Sequence, residues 1–551
     1  MERRALIAGL ICLAILLLYQ ELIIKRFYPP PSEPTGTAEE RTLQPPAAPP
    51  PAAPATTEAE SPTAAAPPPI AGKDVVIDTD LYHAVFTTAG ARLKSFQLKR
   101  FRTTVDPNSP PLDLMSQAVE SDRPLGIELR GRSRGGEGKD VVIVNDGTVP
   151  YRVDREALAL RGDDSGTVTF AGDLRGGGRL TKVIRATGDS YLFDMSVHAE
   201  GVPGELTEVS VGWNKELEDP RAHGGEILFN ADVMLQNGKL HRELFTALKE
   251  PLLFEGNIAW TAYEGRYFLA AMVPAGDGVN DLRVWLKRRE AMLENKLYMP
   301  PNQFDFTLGA FVGPKDIDVL GRAGHSLGKA VDLGFWAPIA QPLFQALQFL
   351  YRFTGNYGVS IILLTVAIKI LFIPLTQRSL KSMREMQKLQ PQMQQIRERY
   401  KDKPDEMNKE IMELYRRHKV NPLGGCLPMV LQIPVFIGLY NALSNAVELR
   451  HAPFIGWIND LSAPDRLGTM QLPFVERPGF PVLTLLMGGT MFLQQWMSPS
   501  QADPTQQRVM LIMPLMFTVM FINFPSGLTL YWLVNNILTI AQQYWINRSR
   551  D

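Results

Sequence analysis

The sequence predicts a polytopic α-helical membrane protein with six spans, carrying one large antiparallel β domain on the far side of the membrane from its main basic loop. Three patterns predict it. An apolar run, Ala5 to Ile24, opens the chain. Five apolar stretches of membrane-spanning length follow Tyr357. Between them, from Asp74 onward, apolar residues alternate with polar ones.

Bulk composition hides this partition. The 551 residues carry a net charge of −1 and are 45% hydrophobic, as in an ordinary soluble protein. The apolar residues concentrate at the N-terminus and after Tyr357, and a strongly basic block lies between Arg378 and Lys419. The length leaves room for several domains. Cys12 and Cys426 both lie in or beside apolar segments, which excludes a disulfide scaffold in the β domain. The histidines are scattered and form no H-x-x-x-H pair, so no metal or other cofactor is expected.

Residues 1–27 read as a transmembrane anchor. Arg3 and Arg4 precede an apolar run of about 20 residues, enough to cross ~30 Å of hydrocarbon, and Lys25-Arg26 closes it. A cleaved signal peptide is the alternative, but it wants a shorter apolar core and a small-x-small site, whereas Leu22-Ile23-Ile24 continues the run past Glu21. An uncleaved anchor with Met1 in the cytoplasm is the favoured reading. Residues 28–72, dominated by Pro, Ala, Thr and Glu, read as a disordered linker.

Residues 73–330 read as the β domain. Tyr191, Phe193, Met195 and Val197 share one face of a strand, as do Phe304, Phe306, Leu308, Ala310 and Val312 of another and Leu282, Val284 and Leu286 of a third. Gly-rich turns such as Gly135-Gly136-Glu137-Gly138 separate such stretches. His223 and Glu226 form a conceivable acid/base pair for sugar chemistry, but a solvated loop is the preferred reading, because no second cluster converges on them.

Residues 331–355 are too polar to span yet carry Phe335, Trp336, Phe344, Leu347, Leu350 and Tyr351. They read as an amphipathic helix lying in the membrane interface. Packing against the β domain is the alternative. Residues 356–551 contain the remaining spans: Tyr357–Thr376, Leu423–Asn445, Gly479–Met497, Gln507–Phe524 and Ser526–Ile546. Lys and Arg crowd Gln377–Val420, while the loop Val447–Pro478 has only Arg450, Arg466 and Arg477. The basic side is cytoplasmic, so both termini lie inside and the β domain outside. Within 377–420, apolar residues at helical spacing on both sides of Asp402-Lys403-Pro404 predict a charged helical hairpin. Its charges fit a solvated face or a docking surface for a ribosome or nascent chain.

Lys369 is the sharpest signal. It sits within an apolar span, no acidic residue occurs in any of the five C-terminal spans, and a mid-helix lysine costs roughly 2.5–3.5 kcal/mol. A water-filled cavity open to the cytoplasm is favoured over snorkelling. Thr365, Gln432, Gln494, Gln495, Asn535 and Asn536 add polar side chains; they are either interhelical hydrogen bonds or, with Lys369, the lining of one groove. Methionines such as Met429, Met487 and Met513 suit an adaptable apolar surface as well as core packing.

The stretches beginning at Asn421 (N-P-L-G-G-C-L-P), Gln432 (Q-I-P-V-F), Val447 (V-E-L-R), Phe524 (F-P-S-G-L) and Tyr531 (Y-W-L-V-N-N) resemble the YidC membrane protein insertases of Gram-negative bacteria. The order of anchor, β domain, amphipathic helix, basic hairpin and five-helix core matches as well. The resemblance implies a periplasmic β super-sandwich, an inner-membrane location and a hydrophilic groove open to cytoplasm and lipid. Its intramembrane positive charge maps to Lys369; the family residue is usually arginine, so the charge is kept and the planar fork lost. Thr365 and Trp532 map to groove positions. The implied function is insertase and chaperone for nascent membrane proteins, without covalent chemistry, alone or with the Sec translocon. The ribosome and the signal recognition particle receptor are further candidate partners, and no specific nucleic acid is implied. A secondary transporter using Lys369, and a tethered sugar enzyme, are the competing readings; the first lacks intramembrane carboxylates and visible repeats.

Overall fold

The computed structural model describes residues 72–548 except 116–122, 133–139, 175–176, 203–204, 217–228, 276–281, 290–291, 300–304, 402, 419–426, 471–477 and 498–503. The expected anchor (1–27), nearly all of the linker and the His223–Glu226 pair lie outside the described residues.

Alternation becomes sheet as expected. Strand Leu192–Glu200 buries Phe193, Met195 and Val197, and its register against Asp305–Pro314 sets Met195 opposite Leu308 and Val197 opposite Phe306. These two strands sit inside a nine-stranded sheet running from Lys239–Leu244 at one edge to Tyr151–Val153 at the other. A six-stranded sheet runs Leu252–Gly256, Leu282–Arg289, Met292–Met299, Glu205–Glu216, Gly126–Arg132, Asp140–Asn145. A five-stranded sheet runs Pro111–Asp113, Arg92–Arg102, Tyr82–Thr87, Asp74–Asp78, Ala157–Ala159. The expected antiparallel arrangement needs one correction: Asp74–Asp78 and Ala157–Ala159 run parallel, because the long excursion between them lets the chain return in the same direction.

The apolar faces of the sheets meet in one core that includes Trp213, Trp260 and Phe311. Each such side chain contributes on the order of 1.5–3 kcal/mol by leaving water. Charge also holds the sheets together. Arg92 of the five-stranded sheet donates to Asp146 Oδ1 at 2.7 Å, and Lys182 of the nine-stranded sheet bonds Asp146 Oδ2. Asp146 directly follows strand Asp140–Asn145 of the six-stranded sheet, so one buried carboxylate ties all three sheets. Lys182 Nζ also donates to the carbonyls of Gly90 and Leu125, both at 3.0 Å. Burial with its desolvation cost holds the Lys182 ammonium pKa below its ordinary value.

A short helix α1 (Ile317–Ala323), capped by Asp316, leads out of the β domain to α2 (Ala337–Thr354). Ala340, Phe344 and Leu347 of α2 are buried at helical spacing, while Phe335, Phe349 and Phe353 are exposed. The buried face packs on helices of the C-terminal bundle, so the alternative of a helix packed on the β domain falls away. The bundle consists of α3 (Tyr357–Lys388), α4 (Gln390–Arg399), α5 (Pro404–Arg417), α6 (Leu427–Asn445), α7 (Val482–Met497), α8 (Pro504–Phe521) and α9 (Ser526–Arg548).

α3 is one helix of 32 residues that carries the first of these spans, Tyr357–Gln377, and continues into the hairpin. The described residues do not confirm all six expected spans. Among the described residues one stretch, Tyr357–Gln377, is long and apolar enough to cross a membrane, and Ile512–Phe521 is a shorter apolar helix. The other helices occupy the expected places; α7 has only 16 residues, and α8 and α9 are diluted by Gln, Thr, Ser and Asn.

The described parts of the stretch between α6 and α7, residues 446–470 and 478–481, close one end of the bundle. Asp465 accepts from the backbone N–H of Leu483 at 2.5 Å at the start of α7, and Arg466 donates to the Ile522 carbonyl at 3.0 Å after α8. The β domain is seated on this end: Arg266 Nε donates to the Ser444 carbonyl at 2.6 Å, and Arg450, over the Phe268 ring, donates to the Arg102 carbonyl at 3.0 Å. The other end carries α4 and α5, folded on α3 around Met386, Leu389, Met393 and Tyr415.

Candidate functional site

Helix α9 organises the polar side chains of the bundle. Residues four apart share a helical face, which places Tyr531, Asn535 and Thr539 on one stripe and Trp532 and Asn536 beside it. Helix α9 packs against both α3 and α7, so these stripes face polar residues from two directions.

On the α3 side, Lys369 Nζ donates to Thr539 Oγ1 at 2.8 Å, and the Thr539 hydroxyl donates in turn to the Asn535 carbonyl at 2.6 Å. Both helices start at the closed end. At 1.5 Å per residue, Lys369 lies about 18 Å and Thr539 about 20 Å along them, so the pair is at matched depth. Lys369 is half-buried. An ammonium has three N–H donors and Thr539 accepts one. The five stretches read as membrane spans contain no carboxylate to neutralise the charge.

Thr365 lies one turn before Lys369 and is buried, its hydroxyl donating to the Ile361 carbonyl of its own helix at 2.6 Å. From α6, Gln432 Nε2 donates to Tyr531 Oη. Trp532 packs edge-on to Phe436, with ring centroids 4.7 Å apart, and stacks near Phe517 and Phe521. Asn536 Nδ2 donates to Thr490 Oγ1 of α7 at 3.3 Å. Gln494 and Gln495 are half-buried, in the turn after Thr490. Gly488 allows α7 to approach α8, since a Cβ there would lie 2.1 Å from Thr518 Oγ1.

Lys369 and Gln432 thus each reach α9, at Thr539 and Tyr531, eight residues apart on that helix; Asn535 enters through its backbone carbonyl, Thr365 bonds within its own helix, and Gln494 and Gln495 lie on α7. Thr539 and Tyr531 complete the seam as the direct partners of Lys369 and Gln432. Position was their one signal in the sequence: each lies four residues from Asn535 on the same helix. A cation with a single hydroxyl partner among the described residues can attract and solvate a polar or acidic segment. It offers no nucleophile–base pair for covalent chemistry.

The family described as 60Kd inner membrane protein matches residues 349–551, and the family described as YidC periplasmic domain matches residues 74–346. The chain is 42% identical over 484 residues to the membrane protein insertase YidC of Syntrophobacter fumaroxidans, covering 86% of each chain. It is 40% identical over 492 residues to that of Syntrophus aciditrophicus, covering 86% of this chain and 85% of the other. Among solved structures, that of an active YidC insertase with its first transmembrane domain resolved matches at 18% identity and a TM-score of 0.37, over 86% of this chain and 93% of that one.

Proposed function

The chain belongs to the YidC family of membrane protein insertases, and from that premise we propose that it moves nascent transmembrane segments into the inner membrane along the polar seam of α9. Its β domain is the periplasmic domain of the family. The observation that carries the reading is Lys369: a cation held inside an apolar helix by one hydroxyl partner and no carboxylate.

In this reading the remaining N–H donors of Lys369 are met by water from the cytoplasm or by the acidic residues of a substrate tail. Gln432, Gln494, Gln495 and Asn535 solvate that tail. The aromatic group of Trp532, Phe436 and Phe517 gives the apolar part of the substrate a path toward lipid. Thr365 sets the position of Lys369 from within α3. Binding without reaction is sufficient, because sheltering polar groups lowers the barrier to partitioning.

Five membrane spans, in α3, α6, α7, α8 and α9, and one N-terminal anchor, with both termini cytoplasmic, complete the topology. The β domain and the described parts of the stretch between α6 and α7 share one end of the bundle, and the basic α4–α5 hairpin occupies the other, which fits a basic cytoplasmic side. The hairpin surface is suited to docking a ribosome or the signal recognition particle receptor, and the Sec translocon is a further partner.

Photocrosslinking from positions 365 and 369 to ribosome-bound nascent membrane proteins tests the reading. Adducts to the nascent chain at both positions support it; adducts to lipid alone contradict it.

A further inference from the structure

The stripe of α9 that meets Lys369 does not end at Thr539. Gln542 and Gln543 follow three and four residues later, so they flank the Thr539 direction one turn nearer the end that carries α4 and α5. At 1.5 Å per residue they lie about 24–26 Å along α9 from the closed end, short of the ~30 Å thickness of the hydrocarbon. Tyr544 and Trp545, both exposed, come next and suit the membrane–water interface. The two glutamines therefore sit at the mouth of the seam, between Lys369 and the cytoplasm.

Their amides differ from the rest of the stripe. Tyr531 is met by Gln432, Asn536 meets Thr490, and Thr539 meets both Lys369 and the Asn535 carbonyl. Gln542 Nε2 and Gln543 Oε1 are enclosed, and neither has a hydrogen-bond partner among the described residues. Each amide has an acceptor at one end and a donor at the other, so turning either over still leaves an enclosed polar atom unmet. An unmet polar group at membrane depth is costly unless a partner reaches it. Both side chains are half-buried, so a change of rotamer presents these atoms to the seam without moving α9.

The chemistry of that partner follows from the amides. A neutral donor beside a neutral acceptor complements the N–H and C=O of a peptide group. Charge plays no part, so the match holds for any polypeptide whatever its side chains. It holds only for extended backbone, because the N–H and C=O groups of a helix bond within the helix. An apolar segment leaving water before its helix has formed is the chain with most need of such partners.

We propose that Gln542 and Gln543 bind the backbone of the incoming segment while it is extended and release it as it becomes helical. The assignment rests on the insertion function proposed for the seam, and adds a sequence-independent contact to the charge-selective one at Lys369.

A Gln542→Leu, Gln543→Leu double variant of the full-length protein keeps side-chain size and removes both amides. Its thermal midpoint in detergent should match or exceed that of wild type, because no hydrogen bond of the resting protein is lost; a purely structural pair would lower it. Its insertion rate should fall about fivefold for acidic-tailed and uncharged-tailed substrates alike, whereas Lys369→Ala slows only the acidic one. Gln542→Asn with Gln543→Asn, which keeps the amides, should recover most of the rate. A photocrosslinker at position 543 should capture ribosome-bound nascent chains of both kinds while the apolar segment has partly emerged, and lose them once it has emerged in full. Unchanged rates for both substrates, a lowered midpoint, or adducts to lipid alone at position 543 overturn the proposal. Where position 369 still captures the nascent chain, the insertion reading stands and only the glutamine contact falls; lipid adducts alone at both positions remove both.

Discussion

Lys369 and Thr539, on two helices that run in the same direction from the closed end of the bundle, meet at equal depth through a 2.8 Å hydrogen bond. A charge-assisted bond of this kind is worth roughly 1.5–3 kcal/mol. Thr539→Val keeps the shape and removes the acceptor, so it should lower the thermal stability of the purified protein. In a Lys369→Ala background the same substitution should have little effect. A double-mutant cycle measures this coupling; additive effects would show that the two side chains do not act as a pair.

The seam predicts that Lys369 is reached by cytoplasmic water. Lys369→Cys, in a background without Cys12 and Cys426, should react with a membrane-impermeant thiol reagent added from the cytoplasmic side. An inert cysteine at this position, with a lipid-facing control equally inert, would show that the site is dry.

The β domain carries no part of the seam, so its removal should leave insertion largely intact. The cut must fall after Pro314, because Asp305–Pro314 pairs with strands on both sides within the nine-stranded sheet and would otherwise be left with two open edges. Removing residues 73–314 and testing rescue of a depleted strain checks this. Complete loss of insertion from a stably expressed core would mean that the seating through Arg266 and Arg450 is part of the mechanism.

Glu448 lies in the loop at the closed end, where it accepts from Gln348 Nε2 of α2 at 3.0 Å. Burial, reinforced by Asp316 and Asp318, raises its carboxyl from 4.5 to about 7. The native state therefore holds a proton that the unfolded chain releases, and stability falls as pH rises from about 4.5 to 7, by about 3 kcal/mol in total. Thermal midpoints measured from pH 5 to pH 8 should fall more for wild type than for Glu448→Gln, which should be the more stable protein at pH 8. Parallel curves would refute this role.

Much of the seam is legible in the sequence because a charge inside an apolar stretch is conspicuous. Lys369 stands out in this way, and Gln432 and Asn535 do so more faintly. Thr539 is not legible: a threonine satisfies itself within its own helix, and nothing local marks it as a partner of Lys369. The Arg92–Asp146–Lys182 cluster is hidden for another reason. Its members lie 54 and 36 residues apart, and charged side chains in strands are ordinarily solvated. Alternation located the strands from Tyr191 and Leu282 correctly, since period two is a local property. The return of Ala157–Ala159 beside Asp74–Asp78 is a matter of tertiary topology and leaves no local trace. The first span, read as Tyr357–Thr376, agrees with the apolar stretch Tyr357–Gln377, while α3 itself continues beyond it: composition reports the solvent around a helix, and the helix ends only where a stop signal occurs.

The central claim is that Lys369 acts through its charge on acidic segments of the substrate. The direct measurement is the insertion efficiency of two substrates, one with an acidic translocated tail and one with an uncharged tail, in Lys369→Arg, Lys369→Ala and Lys369→Glu variants. The account predicts that Arg preserves insertion of the acidic substrate, Ala weakens it and Glu weakens it most, because attraction becomes repulsion in a low-dielectric groove, while the uncharged substrate changes little. Equal insertion of the acidic substrate by the Arg and Glu variants would contradict the account.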